Sequence, residues 1–485
     1  MEIWDKDLRS IQETRNLISK AKQAQLIFSQ FSQEEIDRIV LRMSEAVEQQ
    51  AEGLAKLAHE ETGFGKWQDK VLKNQFASSV VYDYIRDLKT VGIIRNDQTN
   101  KIMEVAVPVG IVAGLIPSTN PTSTTIYKAL IALKAGNAIV FSPHPSAKNC
   151  ILETVQILTK AAVHAGAPEG LIGCIQTPTL QATNELMKHK DVALILATGG
   201  EAMVRAAYSS GTPAIGVGPG NGPAFIEKSA DIPLAVKRII DSKTFDNGVI
   251  CASEQSIVVE KEIEAQVVAE LVKQGAYFLS KEESEKLGKW LLRANGTMNP
   301  QIVGKSVEVI ADLADLTIPK GTKVLISEQT NVSKSNPYSR EKLAPILAFY
   351  SEENWEQACE RCMELLFNEG KGHTLIMHSK NEDVIREFAL KKPVSRMLVN
   401  TPGALGGIGG TTNLVPALTL GCGAVGGSST SDNVGPLNLI NIRRVAYGVK
   451  ELEDLSGNTP STSAVDISEA DVEEIIKNLL QKFIR

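Results

Sequence analysis

The chain has 485 residues, of which 43% are hydrophobic and 22% charged, and its net charge is −6 with an isoelectric point near 5.7. That length outgrows a single hydrophobic core and predicts two or three domains, and the acidic balance argues against a nucleic-acid surface as its main business. The charged start, Met1 to Asp7, lacks the apolar core of a signal peptide, and no run reaches the roughly 18 to 20 apolar residues of a membrane span. Six cysteines make no disulfide framework in a chain this long, so free thiols and a reducing cytoplasm are expected.

In chain order, the first ninety residues carry a helical pattern: Ile36, Ile39, Val40, Met43 and Val47, then Leu54 and Leu57, recur at the spacing of one apolar face. The pattern then changes to short β-branched runs, each closed by Gly or Pro and followed by a helical segment, at residues 110–117, 137–142 and 192–197. Near-continuous apolar strands alternating with helices predict an α/β fold whose parallel sheet is covered on both faces. Ligands of such sheets sit at the carboxyl ends of strands. Pro117-Ser118-Thr119-Asn120, Pro143-His144-Pro145 and Thr198-Gly199-Gly200 are therefore candidate ligand loops. The last of these also opens the helical stretch 201–207, which aims a helix N-terminus at a phosphate-like group; the plain alternative is a tight turn.

A second strand–helix series begins near Phe225 and runs through 256–259, 374–377 and 397–399, predicting a second α/β domain. Residues 403–435 are rich in Gly, Ser and Thr yet too apolar for a linker, and read as ordered loop near a site. Residues 456–464 do read as a linker. Beyond them Val472, Ile475, Ile476, Leu479, Leu480 and Phe483 fall on one helix face, opposed by Glu473, Glu474, Lys477, Asn478, Gln481 and Lys482.

The most informative stretch is 242–256, Ser-Lys-Thr-Phe-Asp-Asn-Gly-Val-Ile-Cys-Ala-Ser-Glu-Gln-Ser, which sets Cys251 between a glycine-containing turn and an apolar strand. A lone cysteine is most often a buried structural one, because reactivity depends on surroundings that local sequence does not show. This segment, however, resembles the nucleophile motif of the aldehyde dehydrogenase superfamily, specifically its CoA-acylating branch. That branch holds acetaldehyde, propionaldehyde and succinate-semialdehyde dehydrogenases and the aldehyde-oxidising half of bifunctional aldehyde–alcohol dehydrogenases. Supporting matches run collinearly: Ile-Pro-Ser-Thr-Asn-Pro-Thr at 116–122, Phe-Ser-Pro-His-Pro at 141–145, Ala-Thr-Gly-Gly at 197–200, Gly-Val-Gly-Pro-Gly-Asn at 216–221 and Leu-Gly-Cys-Gly at 420–423.

The resemblance implies a Rossmann-type cofactor domain, a second α/β catalytic domain and a small oligomerisation element. It divides the chain into 1–225 (cofactor-binding, with part of the oligomerisation element), 226–420 (catalytic), 421–455 (return segment and oligomerisation), the linker 456–464 and an amphipathic docking helix, 465–485. It makes Cys251 the nucleophile that adds to an aldehyde, giving a thiohemiacetal and, after hydride loss, a thioester. It assigns the nascent oxyanion to the Asn120 amide and the Cys251 backbone N–H; otherwise Asn120 is a turn residue before Pro121. Pro117, Ser118, Thr119, His144, Pro145, Thr198, Gly199, Gly200, Gly218 and Glu341 are implied cofactor contacts, with Glu341 resembling the family's nicotinamide-ribose glutamate rather than a solvated helix-end charge. The loop at His144 lacks the carboxylate that hydrolytic members place there, so NAD is expected and NADP stays open.

Hydrolytic members resemble one another in a Glu-Leu-Gly-Gly-Lys segment whose glutamate activates water. Here the corresponding Val217-Gly218-Pro219-Gly220-Asn221 carries no carboxylate, so the thioester should wait for coenzyme A; Glu227 and Glu254, nearby in sequence, are the candidate substitutes. Cys359-Glu360-Arg361-Cys362 lies in a helical run with Trp355, Met363 and Leu366 and reads as a buried helix face. His373 and His378 have the wrong spacing for a helical zinc pair, and no metal is expected.

The expected activity is CoA- and NAD-dependent oxidation of a short-chain aldehyde, acetaldehyde or propionaldehyde, to acyl-CoA. These substrates differ by methylenes worth about 1 kcal/mol each in a pocket. The competing readings are a hydrolytic dehydrogenase and a catalytically weak assembly component. At 485 residues a fused alcohol dehydrogenase half is not expected. The resemblance further implies a homodimer or homotetramer with residues 438–448 at the interface. Its tail, 465–485, resembles the encapsulation peptides that dock enzymes onto a bacterial microcompartment shell or core partner.

Overall fold

A computed structural model describes residues 5–293, 295–455, 472–474 and 476. Helices Lys6–Phe28, Gln33–Gln49, Ala51–Thr62 and Trp67–Gln75 open the chain. Ser32 starts the second with a capping box closed by Glu35, and that helix buries Ile36, Ile39, Val40, Met43 and Val47, the stripe its sequence spells out. The strands are β1 (Gly92–Asp97) and β2 (Ile102–Pro108), then β3 (Ile111–Ile116), β4 (Ala138–Pro143), β5 (Ile172–Cys174), β6 (Val192–Thr198) and β7 (Ala214–Val217). Next come β8 (Gly222–Ile226), β9 (Glu254–Glu260), β10 (Ala276–Phe278), β11 (Val324–Glu328), β12 (Ile346–Glu352), β13 (Gly372–His378) and β14 (Val394–Val399), and finally β15 (Ile440–Ala446).

These strands form three sheets, ordered β1-β2-β15, β5-β4-β3-β6-β7 and β10-β11-β12-β9-β8-β13-β14. The chain separates into two compact units, Met1–Gly92 with Ala106–Asn441, and Ile93–Val105 with Ile442–Arg485. Both larger sheets belong to the first unit and are parallel throughout. Every residue of β3, β4 and β9 is buried, as expected of strands with helices over both faces.

Topology fixes where a ligand can sit. In the five-stranded sheet β3 pairs with β4 on one side and β6 on the other, so the connections leave in opposite directions there and a crevice opens at the carboxyl ends. The loops at 117–120 and 199–200 flank that crevice. Lys128, buried in helix Pro121–Lys134, ties the two strand ends together by donating to the Leu115 and Leu196 carbonyls, each at 2.8 Å. The seven-stranded sheet contributes its opposite end: β9 is central, and Cys251 lies three residues before its first residue. The linker expected at 456–464 lies outside the described residues, as does the docking helix apart from residues 472–474 and 476.

Candidate active site

Helix Ile232–Thr244 leads into a tight turn in which Asp246 and Asn247 adopt left-handed backbone angles, φ 48° and 54°, followed by Gly248 at 76°. Asp and Asn tolerate that region better than most residues, but the turn still needs holding. The Asp246 carboxylate accepts from the Lys66 backbone N–H at 2.6 Å, from Lys70 Nζ at 3.0 Å and from Lys73 Nζ. Its own N–H donates to Asp69 at 2.7 Å, and Asn247 Nδ2 donates to the Gly304 carbonyl at 2.9 Å. Gly220, in the loop between β7 and β8, closes the other side: a Cβ there would stand 1.9 Å from the Cys251 carbonyl oxygen, so only glycine lets this loop pass Cys251. The turn thus holds Cys251 partly exposed, the other five cysteines being buried.

One cavity of about 240 Å³ gathers the residues singled out in the sequence: Pro117, Ser118, Thr119, Asn120, His144, Thr198, Gly199, Gly200, Gly218, Cys251 and Glu341. Pro145 is not part of this lining. It is exposed and starts the turn Pro145–Ala147, and its fixed φ carries the chain away into the next helix. Sequence reasoning missed Thr124, Leu343, Ile408, Leu418 and Leu420, which supply much of the apolar wall. Three of these come from the 403–435 segment, whose composition marked the region but not the residues.

Burial pushes the Cys251 thiol up to about 12, with Glu341 and Cys422 adding and Arg396 opposing, so the resting thiol is protonated. Glu341 is raised to about 8, first by burial and then by Glu369; its Oε1 accepts from the Gly220 N–H at 2.9 Å. Among the described residues it is the only carboxylate lining the cavity. Glu227 is instead buried in a turn, accepting from Ser229 N–H at 3.0 Å and Ser379 Oγ at 2.8 Å. Glu254 accepts from the Gly403 N–H at 2.7 Å and likewise lies outside the lining. Asn120 Nδ2 donates to the Val249 carbonyl at 3.2 Å, while its Oδ1 accepts from Lys73 Nζ. Burial lowers Lys73 to about 8, against the opposing pull of Asp246 and Asp69. Gly200 and Gly218 have open space where a Cβ would be, leaving backbone and void for a flat nucleotide group beside Cys251.

Cys359 and Cys362 are buried in helix Trp355–Asn368, and His373 and His378 are buried at the two ends of β13. Among the described residues no three His, Cys, Asp or Glu side chains are grouped to hold a metal ion.

The model of the aldehyde dehydrogenase family matches residues 4–345. The chain belongs to that family. Among its relatives, the bifunctional aldehyde-alcohol dehydrogenase AdhE of Escherichia coli K12 is 45% identical over 442 residues, 90% of this chain and 50% of that protein. The chain therefore spans about half the length of this and another aldehyde-alcohol dehydrogenase it matches. Among solved structures, a probable aldehyde dehydrogenase of Listeria monocytogenes matches with a TM-score of 0.92 at 68% identity, over 93% of this chain and 100% of that one. An acetylating aldehyde dehydrogenase of Geobacillus thermoglucosidasius matches with 0.91 at 55% identity, over 93% and 99%. A propionaldehyde dehydrogenase from the fucose-utilisation microcompartment of Clostridium phytofermentans matches with 0.82 at 29% identity, over 90% and 98%. The aldehyde dehydrogenase-like architecture expected from the sequence is the one observed.

Proposed function

We propose that this chain is a CoA-acylating aldehyde dehydrogenase that converts acetaldehyde or propionaldehyde to the acyl-CoA. The observation that carries it is the cavity in which Cys251 and Asn120 face one space while its only lining carboxylate among the described residues, Glu341, is held on the Gly220 N–H. The partly exposed Cys251 thiol gives its proton to solvent as it adds to the aldehyde carbonyl, and Asn120 Nδ2 and the Cys251 N–H receive the negative oxygen. NAD, when bound, supplies the hydride acceptor; Thr198, Gly199, Gly200, Gly218 and Glu341 are the residues that would hold it. Among the described residues the thioester left on Cys251 faces one carboxyl, Glu341, whose Oε1 is taken up by the Gly220 N–H, so on this reading the CoA thiol takes the acyl group and its proton passes to the departing Cys251 sulfur.

A larger cavity of about 550 Å³ shares Gly218 and Pro219 with the first, and Arg205, Lys334, Arg340 and Lys371 line it against Glu201 and Glu369. That positive balance suits the phosphates of CoA. The name of the Geobacillus neighbour supports the acylating reading. NADH formation from propionaldehyde with and without CoA tests it. Turnover should depend on CoA and run in reverse from acyl-CoA and NADH; stoichiometric free acid at an undiminished rate without CoA would establish the hydrolytic enzyme instead.

The same reading keeps residues 1–225 as the cofactor-binding part, 226–420 as the catalytic part and 421–455 as the return segment. Exposed Ile442, Val445, Tyr447 and Val449 on and after β15 support a homodimer or homotetramer through this stretch. Among the described residues no helix is long and apolar enough to cross a membrane. A cytoplasmic location inside a microcompartment, reached through 465–485, is supported by the Clostridium neighbour's origin. The choice of NAD over NADP is tested by comparing kcat/KM for the two.

A further inference from the structure

An asparagine amide has two ends of nearly equal shape and opposite chemistry. Its NH₂ binds an oxyanion and its carbonyl repels one, so packing alone cannot choose the useful orientation. In this chain the choice is made by charge. Lys73, buried in helix Trp67–Gln75, donates from Nζ to Asn120 Oδ1, and an ammonium, having only donors, cannot face the NH₂ end. Nδ2 is thereby turned toward the Val249 carbonyl, 3.2 Å away and two residues before Cys251.

The same ammonium reaches the second half of the oxyanion site. Lys73 also donates to the Asp246 carboxylate, which takes Lys70 Nζ at 3.0 Å and the Lys66 N–H at 2.6 Å and so anchors the left-handed turn leading to Cys251. Lys70 in addition donates to the Thr119 carbonyl at 3.2 Å, next to Asn120. The Lys73 ammonium donates directly to the Asn120 carbonyl, and an amide polarised in this way is a stronger donor at its far end.

We propose that Lys73 is a positioning residue of the oxyanion site, fixing the Asn120 amide and joining it, through Asp246, to the turn that presents Cys251. The proposal rests on the reading of Asn120 and Cys251 as the reacting pair.

A double-mutant cycle in the full chain tests it, read by NADH formation from propionaldehyde with CoA and by alkylation of Cys251 with iodoacetamide. Asn120→Ala should lower kcat by about a hundredfold or more. Lys73→Met should lower kcat by about tenfold with the aldehyde KM little changed, and that loss should disappear in the Asn120→Ala background. Alkylation, which develops no oxyanion, should keep nearly its wild-type rate in Lys73→Met, because the Lys66 N–H and Lys70 still hold Asp246 and the turn. Lys73→Gln keeps a neutral donor toward Oδ1 and should give an intermediate kcat; it carries the cycle if Lys73→Met does not fold. Equal losses in both backgrounds, or alkylation slowed in step with kcat, would overturn the proposal. Wild-type turnover in Asn120→Ala would instead overturn the reading of the reacting pair.

Discussion

The two parallel sheets meet the cavity with opposite ends. The five-stranded sheet offers the carboxyl ends of β3 and β6, the latter leading through Gly199 and Gly200 into the helix Glu201–Tyr208, where free N–H groups already favour an anionic ligand. The seven-stranded sheet offers the amino end of β9, where the chain arrives from the end of helix Ile232–Thr244 and brings no helix N-terminus. The first arrangement needs nothing beyond its own backbone and the buried Lys128. The second needs support from outside, which Lys66, Asp69, Lys70 and Lys73 provide through Asp246. A ligand loop at the end of a parallel sheet comes with the fold, whereas the presentation of Cys251, the proposed nucleophile, at the opposite end has to be built.

The strongest way to break this comparison is at the nucleophile. Cys251→Ser should bring NADH formation below a few per cent of wild type with the thermal unfolding midpoint unchanged, since an alkoxide is far harder to form than a thiolate. Higher residual turnover would mean that the turn presents nothing essential. Next comes its support. Asp246→Asn leaves Lys70 and Lys73 buried beside a neutral amide, and breaking a buried ion cluster in this way costs about 3 to 5 kcal/mol. Urea unfolding should show that loss as a lower midpoint, and a midpoint within error of wild type would remove Asp246 as the anchor. Lys128→Met, the matching cut at the other sheet, removes two carbonyl contacts and should cost less, about 1 to 3 kcal/mol.

The same asymmetry explains what the sequence could tell. β3, β4 and β6 announce themselves because every local signal agrees: apolar β-branched runs closed by Pro or Gly, with the ligand loop directly after. Cys251 has no comparable local signal and was legible only through resemblance of the whole 242–256 segment. Lys70 and Lys73 were not legible at all. In the helix sequence WQDKVLKNQ they look like a solvated face, and they are buried by Asp246 and Asn120, residues far away in the chain. Leu343, Ile408, Leu418 and Leu420 were missed for the same reason, since only tertiary closure turns them toward the cavity. The β1-β2-β15 sheet depends on pairing across more than three hundred residues, which a local pattern cannot announce.

A gain of function sharpens the chemical side. Val217 ends β7 and lines the cavity, and the resemblance sets it where the hydrolytic motif has its glutamate. Val217→Glu should let the acyl-enzyme partition to water, raising NADH formation without CoA relative to the rate with it. Burial will lift the new carboxyl toward neutrality, so the effect should grow as pH rises through its ionisation. An unchanged ratio at every pH would show that the missing carboxylate is not what reserves the thioester for CoA.

The smallest effect on turnover is expected outside both sheets. Among the described residues every cavity residue precedes 456, so on the proposed reading a chain lacking 456–485 should keep the wild-type kcat and KM values for aldehyde, NAD and CoA. The apolar positions 472, 475, 476, 479, 480 and 483 recur at helical spacing, and such a stripe gains free energy only by covering itself. Either it packs on its own enzyme, and truncation then lowers the unfolding midpoint, or it covers itself on a partner, and truncation leaves the midpoint alone. Fusing 465–485 to a fluorescent protein in shell-producing cells separates the two directly. Fluorescence gathered into shells supports docking on a microcompartment component. Diffuse fluorescence together with a lowered midpoint assigns the stripe to the enzyme's own surface.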